Sequence, residues 1–203
     1  MVLRCGNVAA VATTLRERKK IATRQALYEA VLRLALQHGL DNITVDAVAD
    51  EANVSRRTFS NYFANKEDAL LYGDQQRIAR LLAEVRARPP YESAWQVLTT
   101  GAMNRFADLN EVDQKFLAQL QLVRRHPALL ARQLAAQADL ERDLAHEIVT
   151  RLPDHSEIQA RIMAATYLAT VRVVLNTWIE LESPLPVGAA IADGLARAGR
   201  AFP

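Results

Sequence analysis

Apolar residues recur at helical intervals along nearly the whole chain. Thr14-Leu15-Arg16-Glu17 has the hydroxyl and carboxylate spacing of a capping box, and Leu27, Val31, Leu34 and His38 then follow at intervals of four and three before Gly39. This pattern predicts a first helix from Thr14 to Gly39 with one stripe turned to a core. A second, short helix is expected over Val45 to Ala52, capped by Thr44, with Val45, Val48 and Ala49 inward and Asp46, Asp50 and Glu51 outward. A third, capped by Ser55, runs from Arg56 to Phe63. Only Asn53 and Val54 separate these two, and Asn tolerates the left-handed backbone that such a tight turn needs. A longer helix followed by two short ones on a tight turn is a helix-turn-helix. Asn65 then caps a fourth helix, which runs towards Pro89-Pro90.

Five more helices are expected: Tyr91 to Ala107, Val112 to Arg125, Ala128 to Leu152, Ser156 to Glu182 and Pro186 to Ala201. Ser156-Glu157-Ile158-Gln159 is a second capping box, and Pro127 suits a first-turn position. The eighth helix is apolar on almost every side, with Ile158, Ile162, Tyr167, Val171, Val174, Leu175, Trp178 and Ile179 distributed round it. A helix of that kind needs burial on several faces, which a domain core plus a dimer interface would supply. Ile191, Leu195, Ala198 and Phe202 give the ninth a stripe for the same purpose. The fold expected is therefore all-α, with nine helices in two domains. Residues 1–13 form an N-terminal arm or a disordered extension, 14–88 the helix-turn-helix domain, and 89–203 a second helical domain whose last helices suit a dimer interface.

Composition narrows the class further. Of 203 residues, 50% are hydrophobic and 24% charged, which excludes disorder as the main state, and only 7 Gly and 7 Pro interrupt the helices. Cys5 is the only cysteine, so no internal disulfide and no four-thiolate zinc site can form. Arg161 and Arg172 divide the most apolar stretch, Ile158 to Trp178, into pieces too short to span a bilayer. Val8 to Ala12 is too short for a signal-peptide core, so a cytoplasmic protein is expected. His38, His126, His146 and His155 lack partners at metal-ligand spacing, and no phosphate loop or nucleophile elbow occurs. Neither a metal, a cofactor nor an enzymatic activity is expected.

A net charge of +2 conceals an asymmetry. Residues 1–88 carry 14 Lys or Arg against 10 Asp or Glu, whereas the remainder carry 11 against 13. Ordinary surface charge would account for that difference, so position has to decide. In the third helix Phe59 and Phe63 are four apart and face the core, which leaves Arg56, Arg57, Ser60, Asn61 and Tyr62 on the remaining surface. Arg and Asn have the bidentate geometry that reads guanine and adenine in the major groove. Thr44, Ser55, Thr58, Tyr62 and Lys66 flank that surface, where hydroxyls and an ammonium can hold phosphates. Arg16, Lys19, Lys20 and Arg24 crowd the start of the first helix, where cations oppose the helix dipole; contact with phosphate or the minor groove would compensate. The competing accounts are a solvated face for the cations, a local hydrogen bond for Asn61, a core-edge position for Tyr62 and simple helix decoration for Lys66.

The run Thr44-Val45-Asp46-Ala47-Val48-Ala49, followed by Val54-Ser55-Arg56-Arg57-Thr58-Phe59-Ser60-Asn61-Tyr62-Phe63-Ala64-Asn65-Lys66-Glu67-Asp68-Ala69-Leu70, resembles the DNA-binding domain of TetR-family repressors over roughly residues 15–71. Arg57 stands where many members have Gly, and Phe59 and Ser60 where Leu or Ile and Tyr are common. The resemblance implies nine helices, a double-stranded DNA operator, a symmetric homodimer made largely by the last two helices, and a regulatory pocket in the C-terminal domain. Leu15-Arg16-Glu17-Arg18-Lys19-Lys20 and Val123-Arg124-Arg125-His126-Pro127-Ala128-Leu129 resemble the subgroup of mycofactocin-regulator-like proteins, which implies an acyl-CoA-like effector.

A small hydrophobic effector wants an apolar tunnel with a few polar groups at its mouth. Trp95, Phe106, Phe116, Leu120, Tyr167, Asn176 and Trp178 are the candidates for its lining, with plain core as the competing account. Arg124, Arg125 and Arg172 are the candidates for meeting a phosphate or carboxylate; Arg172, inside an apolar helix, otherwise needs an acid such as Glu180 or Glu182, or one across the dimer. The alternative function is a helical small-molecule-binding or scaffold protein without sequence-specific DNA binding.

Overall fold

A computed structural model describes residues 15–107, 111–181 and 185–201, with backbone alone for 105–107, 111–116 and 201. Among the described residues there are nine α-helices and no strand. The chain forms two compact units, the first ending at Leu70 and the second beginning at Leu71.

In the first unit α1 (Leu15–His38) leads through a 3-10 turn (Leu40–Asn42) to α2 (Val45–Glu51) and α3 (Arg56–Tyr62). The expected cap of α1, Thr14, lies outside the described residues. Leu27 and Val31 are fully buried as the stripe predicts, but His38 is exposed, and Tyr28, Leu32 and Ala35 are buried instead. Both the 3-10 turn and α2 pack on α1, so it buries a wider arc than a single stripe. Gly39, at φ +82°, takes the chain out of α1 with a backbone that L side chains rarely adopt. The tight turn between α2 and α3 depends on Asn53, whose φ of +54° is the left-handed conformation expected there.

The helix α4 (Lys66–Ala87) begins in the first unit, where the Asn65 side-chain oxygen accepts from the Asp68 amide at 2.8 Å. In the second unit the rest of α4 is followed by α5 (Ala94–Ala107), α6 (Glu111–Arg124), α7 (Pro127–Val149), α8 (Glu157–Glu180) and α9 (Val187–Ala198). The start of α5 differs from the expected Tyr91. Ser93 Oγ accepts from the Gln96 amide at 3.3 Å and Gln96 Oε1 accepts from the Ser93 amide at 3.0 Å, a reciprocal capping box that fixes the first turn at Ala94. Arg151 donates to the carbonyls of Pro89 and Arg88 at 2.6 and 3.0 Å, satisfying oxygens left open where α4 ends.

Length and hydropathy alone would let α8 cross a membrane, but it packs on α7 and α9. Its Ala160, Met163, Ala164, Tyr167 and Leu175 are buried in the chain's own core, with Ile191 and Leu195 of α9 beside them. The stripe of α9 is thus spent within the chain, and its expected last member, Phe202, lies outside the described residues. Close approach of these helices requires Gly194, since a Cβ there would lie 2.6 Å from Val174 Cγ2.

Candidate nucleic-acid interface and effector cavity

The short helices of the first unit hold because their ends and inner faces are satisfied. Thr44 Oγ1 accepts from the Ala47 amide at 3.1 Å and Ser55 Oγ from the Thr58 amide at 3.1 Å, so each helix has a side-chain N-cap. Phe59 and Phe63 are buried, with tilted rings 6.1 Å apart. That anchoring leaves Arg56, Arg57, Ser60 and Asn61 exposed together on α3, as the spacing predicts.

These side chains are not equivalent. Arg56 Nη1 lies 2.6 Å from Asp46 Oδ2, an exposed ion pair that ties α3 to α2. Arg57, Ser60 and Asn61 make no hydrogen bond or ion pair among the described residues, so their donors face solvent. Ser55 and Thr58 share a hydroxyl–hydroxyl hydrogen bond of 2.9 Å while capping α3. Tyr62 is half-buried and its ring lies under Arg24 of α1, with the guanidinium carbon 5.8 Å from the centroid. This contact sets the end of the Arg16–Arg24 cluster beside α3, and Arg16, Lys19 and Lys20 remain exposed on the preceding turns.

Lys66 departs from its expected place among phosphate-binding groups. Its Nζ donates to the carbonyls of Leu40 at 2.7 Å and Ile43 at 3.0 Å, and more distantly to Asp41 at 3.4 Å. What offsets a cation at the start of α4 is therefore the negative end of the 3-10 turn.

The second unit contains a cavity of about 560 Å³. Leu120, Arg124, Tyr167, Arg172 and Asn176 line it, bringing together five of the ten expected residues. Trp95 lines a separate hollow with Met103, Leu195 and Gly199, and it closes against Gly199 so tightly that no Cβ fits there. Trp178 packs on the core and donates from Nε1 to the Leu185 carbonyl at 2.7 Å. Trp95 thus packs against the end of α9 and Trp178 meets the segment that leads into it, while the side chains of Phe106 and Phe116 lie outside the described residues.

Arg124 is already paired, at 2.6 Å from Glu180 Oε1, with a long contact of 3.5 Å to Asn176 Oδ1. Arg172 is exposed at the lining and has no partner among the described residues; of the acids expected beside it, Glu180 pairs with Arg124 and Glu182 lies outside the described residues. The polar residues missed in the sequence are Asp74 and Arg77 on α4 and Gln133 and Gln137 on α7. Asp74 pairs with Arg77 and accepts from Gln133 Nε2 at 3.1 Å, while Arg77 Nη2 donates to the buried Gln119 Oε1 at 2.9 Å. Their signal was available: Asp74, Arg77, Ile78 and Leu81 share one face of α4 at helical spacing. Among the described residues no cluster of His, Cys, Asp or Glu could hold a metal ion.

Residues 27–72 match the bacterial regulatory proteins of the tetR family. The chain is similar to the HTH-type transcriptional regulator TcmR of Streptomyces glaucescens, with 32% identity over 173 residues, covering 81% of this chain and 76% of that one. Its fold is similar to that of SmeT, the repressor of the Stenotrophomonas maltophilia multidrug efflux pump SmeDEF, with a TM-score of 0.65 at 17% identity, covering 90% and 91% of the two chains. The same holds for the transcriptional regulator FadR from Bacillus subtilis in complex with stearoyl-CoA, with a TM-score of 0.61 at 19% identity over 86% and 96%.

Proposed function

The chain belongs to the TetR family of bacterial regulatory proteins, and from that premise we propose a cytoplasmic, homodimeric repressor that a small hydrophobic effector releases from a near-palindromic operator. The observation that carries this reading is the exposed row Arg56, Arg57, Ser60 and Asn61 on a capped helix backed by buried Phe59 and Phe63. A dimer would set two such helices in successive major grooves, about 34–36 Å apart. Arg57 and Asn61 then read base edges, Arg56 does so from its tether on Asp46, and Arg16, Lys19, Lys20 and Arg24 hold phosphates or enter the minor groove. Thr44, Ser55, Thr58 and Tyr62 fix the register from the flanks.

The DNA-reading role falls within the first unit, and effector binding and dimerisation within the second. Support for a dimer comes from α8, where Ile158, Ile162 and Val173 are 74%, 55% and 53% exposed on one helical face. An acyl-CoA is the first effector to test, because the similar FadR was solved with stearoyl-CoA and the cavity is largely apolar. An effector that binds better to a conformer with the wrong spacing between the two heads lowers DNA affinity by that difference alone.

The test is a fluorescence-anisotropy titration on the DNA upstream of the protein's own gene against scrambled DNA, with and without stearoyl-CoA. Selective binding lost on adding the thioester is the expected result. Equal affinity for both DNAs at moderate salt would overturn the repressor reading in favour of a small-molecule-binding or scaffold protein, and selective binding indifferent to the thioester would overturn the effector alone.

A further inference from the structure

An unsubstituted acyl chain would leave much of the cavity's polar capacity unused. The Asp74 carboxylate accepts from Arg77 and Gln133, which occupies two of its roughly four lone-pair directions. Asp74 and Arg77 are only 16% and 18% exposed, so little water competes for what remains. Gln137 stands one turn from Gln133 on the same face of α7, and its amide has no partner among the described residues. Around these groups the wall is apolar, formed by Ile78, Leu81, Leu130 and Leu168. The lining thus holds acceptor capacity within hydrocarbon on α4 and α7, and on α8 a cation, Arg172, that has no acid partner among the described residues.

Unpaired polar groups in such a setting reward a ligand that satisfies them and penalise one that displaces their water without replacing its hydrogen bonds. We infer that the cavity selects an amphiphilic acid whose apolar body carries a hydroxyl, the hydroxyl donating to Asp74 beside Gln133 and Gln137 and the anionic group meeting Arg172. This deepens the effector reading above and rests on it: the acyl-type ligand is specified as a hydroxylated one. At about 560 Å³ the cavity is within the range of small-molecule sites and has room for such a molecule.

The test uses the full-length protein and calorimetric titration with hexadecanoic acid and with three hexadecanoic acids bearing one hydroxyl, at carbon 3, 10 or 16, all below their critical micelle concentrations. At least one hydroxy acid should bind tenfold or more tightly than hexadecanoic acid. Asp74→Asn should bring that ratio close to one, and Gln137→Leu, which leaves the Asp74–Arg77 pair in place if the first variant folds poorly, should lower it by a smaller factor. Arg172→Gln should weaken the hydroxy acids and hexadecanoic acid by a similar factor, leaving the ratio intact. Equal binding of all four acids, no binding of any, or a preference that neither Asp74→Asn nor Gln137→Leu lowers would overturn the inference. Operator titration without ligand separates this outcome from that of the repressor reading, since a hydroxy-acid preference in a protein without selective DNA binding would leave the cavity assignment standing.

Discussion

Lys66 Nζ lies 2.7 Å from the carbonyl oxygen of Leu40, and the same ammonium reaches Ile43 at 3.0 Å. The first turn of α4 is thereby fastened to the segment that leads into α2, inside the unit that carries α3. Charge-assisted hydrogen bonds of this kind contribute about 1.5–3 kcal/mol each when well buried, and partial exposure reduces that. Lys66→Met should therefore lower stability by about 2 kcal/mol, visible as a drop in the melting temperature. Because the ammonium is engaged within the chain, the slope of log K for DNA against log salt should not change. A slope that flattens in this variant would return Lys66 to the phosphate contacts.

Lys19 offers the contrasting case. It is exposed, and its side chain has no partner among the described residues. Lys19→Ala should weaken operator and random DNA by similar factors and flatten the salt slope by about 0.9, the loss of one phosphate contact. Arg57→Ala and Asn61→Ala should instead cost about 1–3 kcal/mol on the operator and much less on random DNA, because a base contact carries the sequence information. Parallel binding isotherms on the two DNAs measure both effects.

Much of the first unit was legible because its signals are local. Thr44, Ser55 and Asn65 cap the helices they were expected to cap, and Asn53 takes the expected left-handed turn. Partners distant in sequence were not legible. Nothing in the order of residues tells that Lys66 meets carbonyls 26 and 23 positions earlier, or that Arg56 meets Asp46 rather than water. The cavity shows the same limit. Apolar residues such as Leu120 and Tyr167 follow from periodicity, whereas Trp95 and Trp178 have the same periodicity and pack elsewhere. Periodicity gives the buried face of a helix but not which neighbour fills it.

The reciprocal bonds between Ser93 and Gln96 set the start of α5, a local signal that the Pro89-Pro90 break masks. Ser93→Ala removes the acceptor for the Gln96 amide and should cost about 1 kcal/mol. Ser93→Asp should retain most of that stability. Equilibrium denaturation measures both variants, and a Ser93→Ala variant as stable as the parent would show that the cap contributes nothing.

Glu92 titrates below the ordinary carboxylate value of 4.5, chiefly because Arg88 donates a hydrogen bond to it, with burial opposing and the charges of Arg88 and Arg151 adding to the shift. A carboxyl depressed in the folded state contributes stability that is present above pH 4.5 and is lost as the pH falls through its folded value. Glu92→Gln should accordingly melt below the parent protein at pH 7, and the gap should close under acid conditions. A gap that is constant with pH would assign the difference to packing instead.

The approach of α9 to α8 at Gly194 predicts a destabilisation that a second substitution repairs. A methyl at Gly194 would lie 2.6 Å from Val174 Cγ2 and 3.4 Å from Thr170 Cγ2, too close to the first for the helices to keep their spacing. Gly194→Ala gains helix propensity of about 1 kcal/mol, but forced overpacking costs about 1–3 kcal/mol, so the variant should be neutral to clearly less stable. Val174→Ala removes the clashing methyls at the price of a small void. In the double variant the new methyl occupies that void and the propensity gain remains, so the two changes should couple favourably by about 1 kcal/mol or more in a double-mutant cycle. Additive losses would mean that the helices separate freely at this point, and the contact would then not fix how α9 sits on α8.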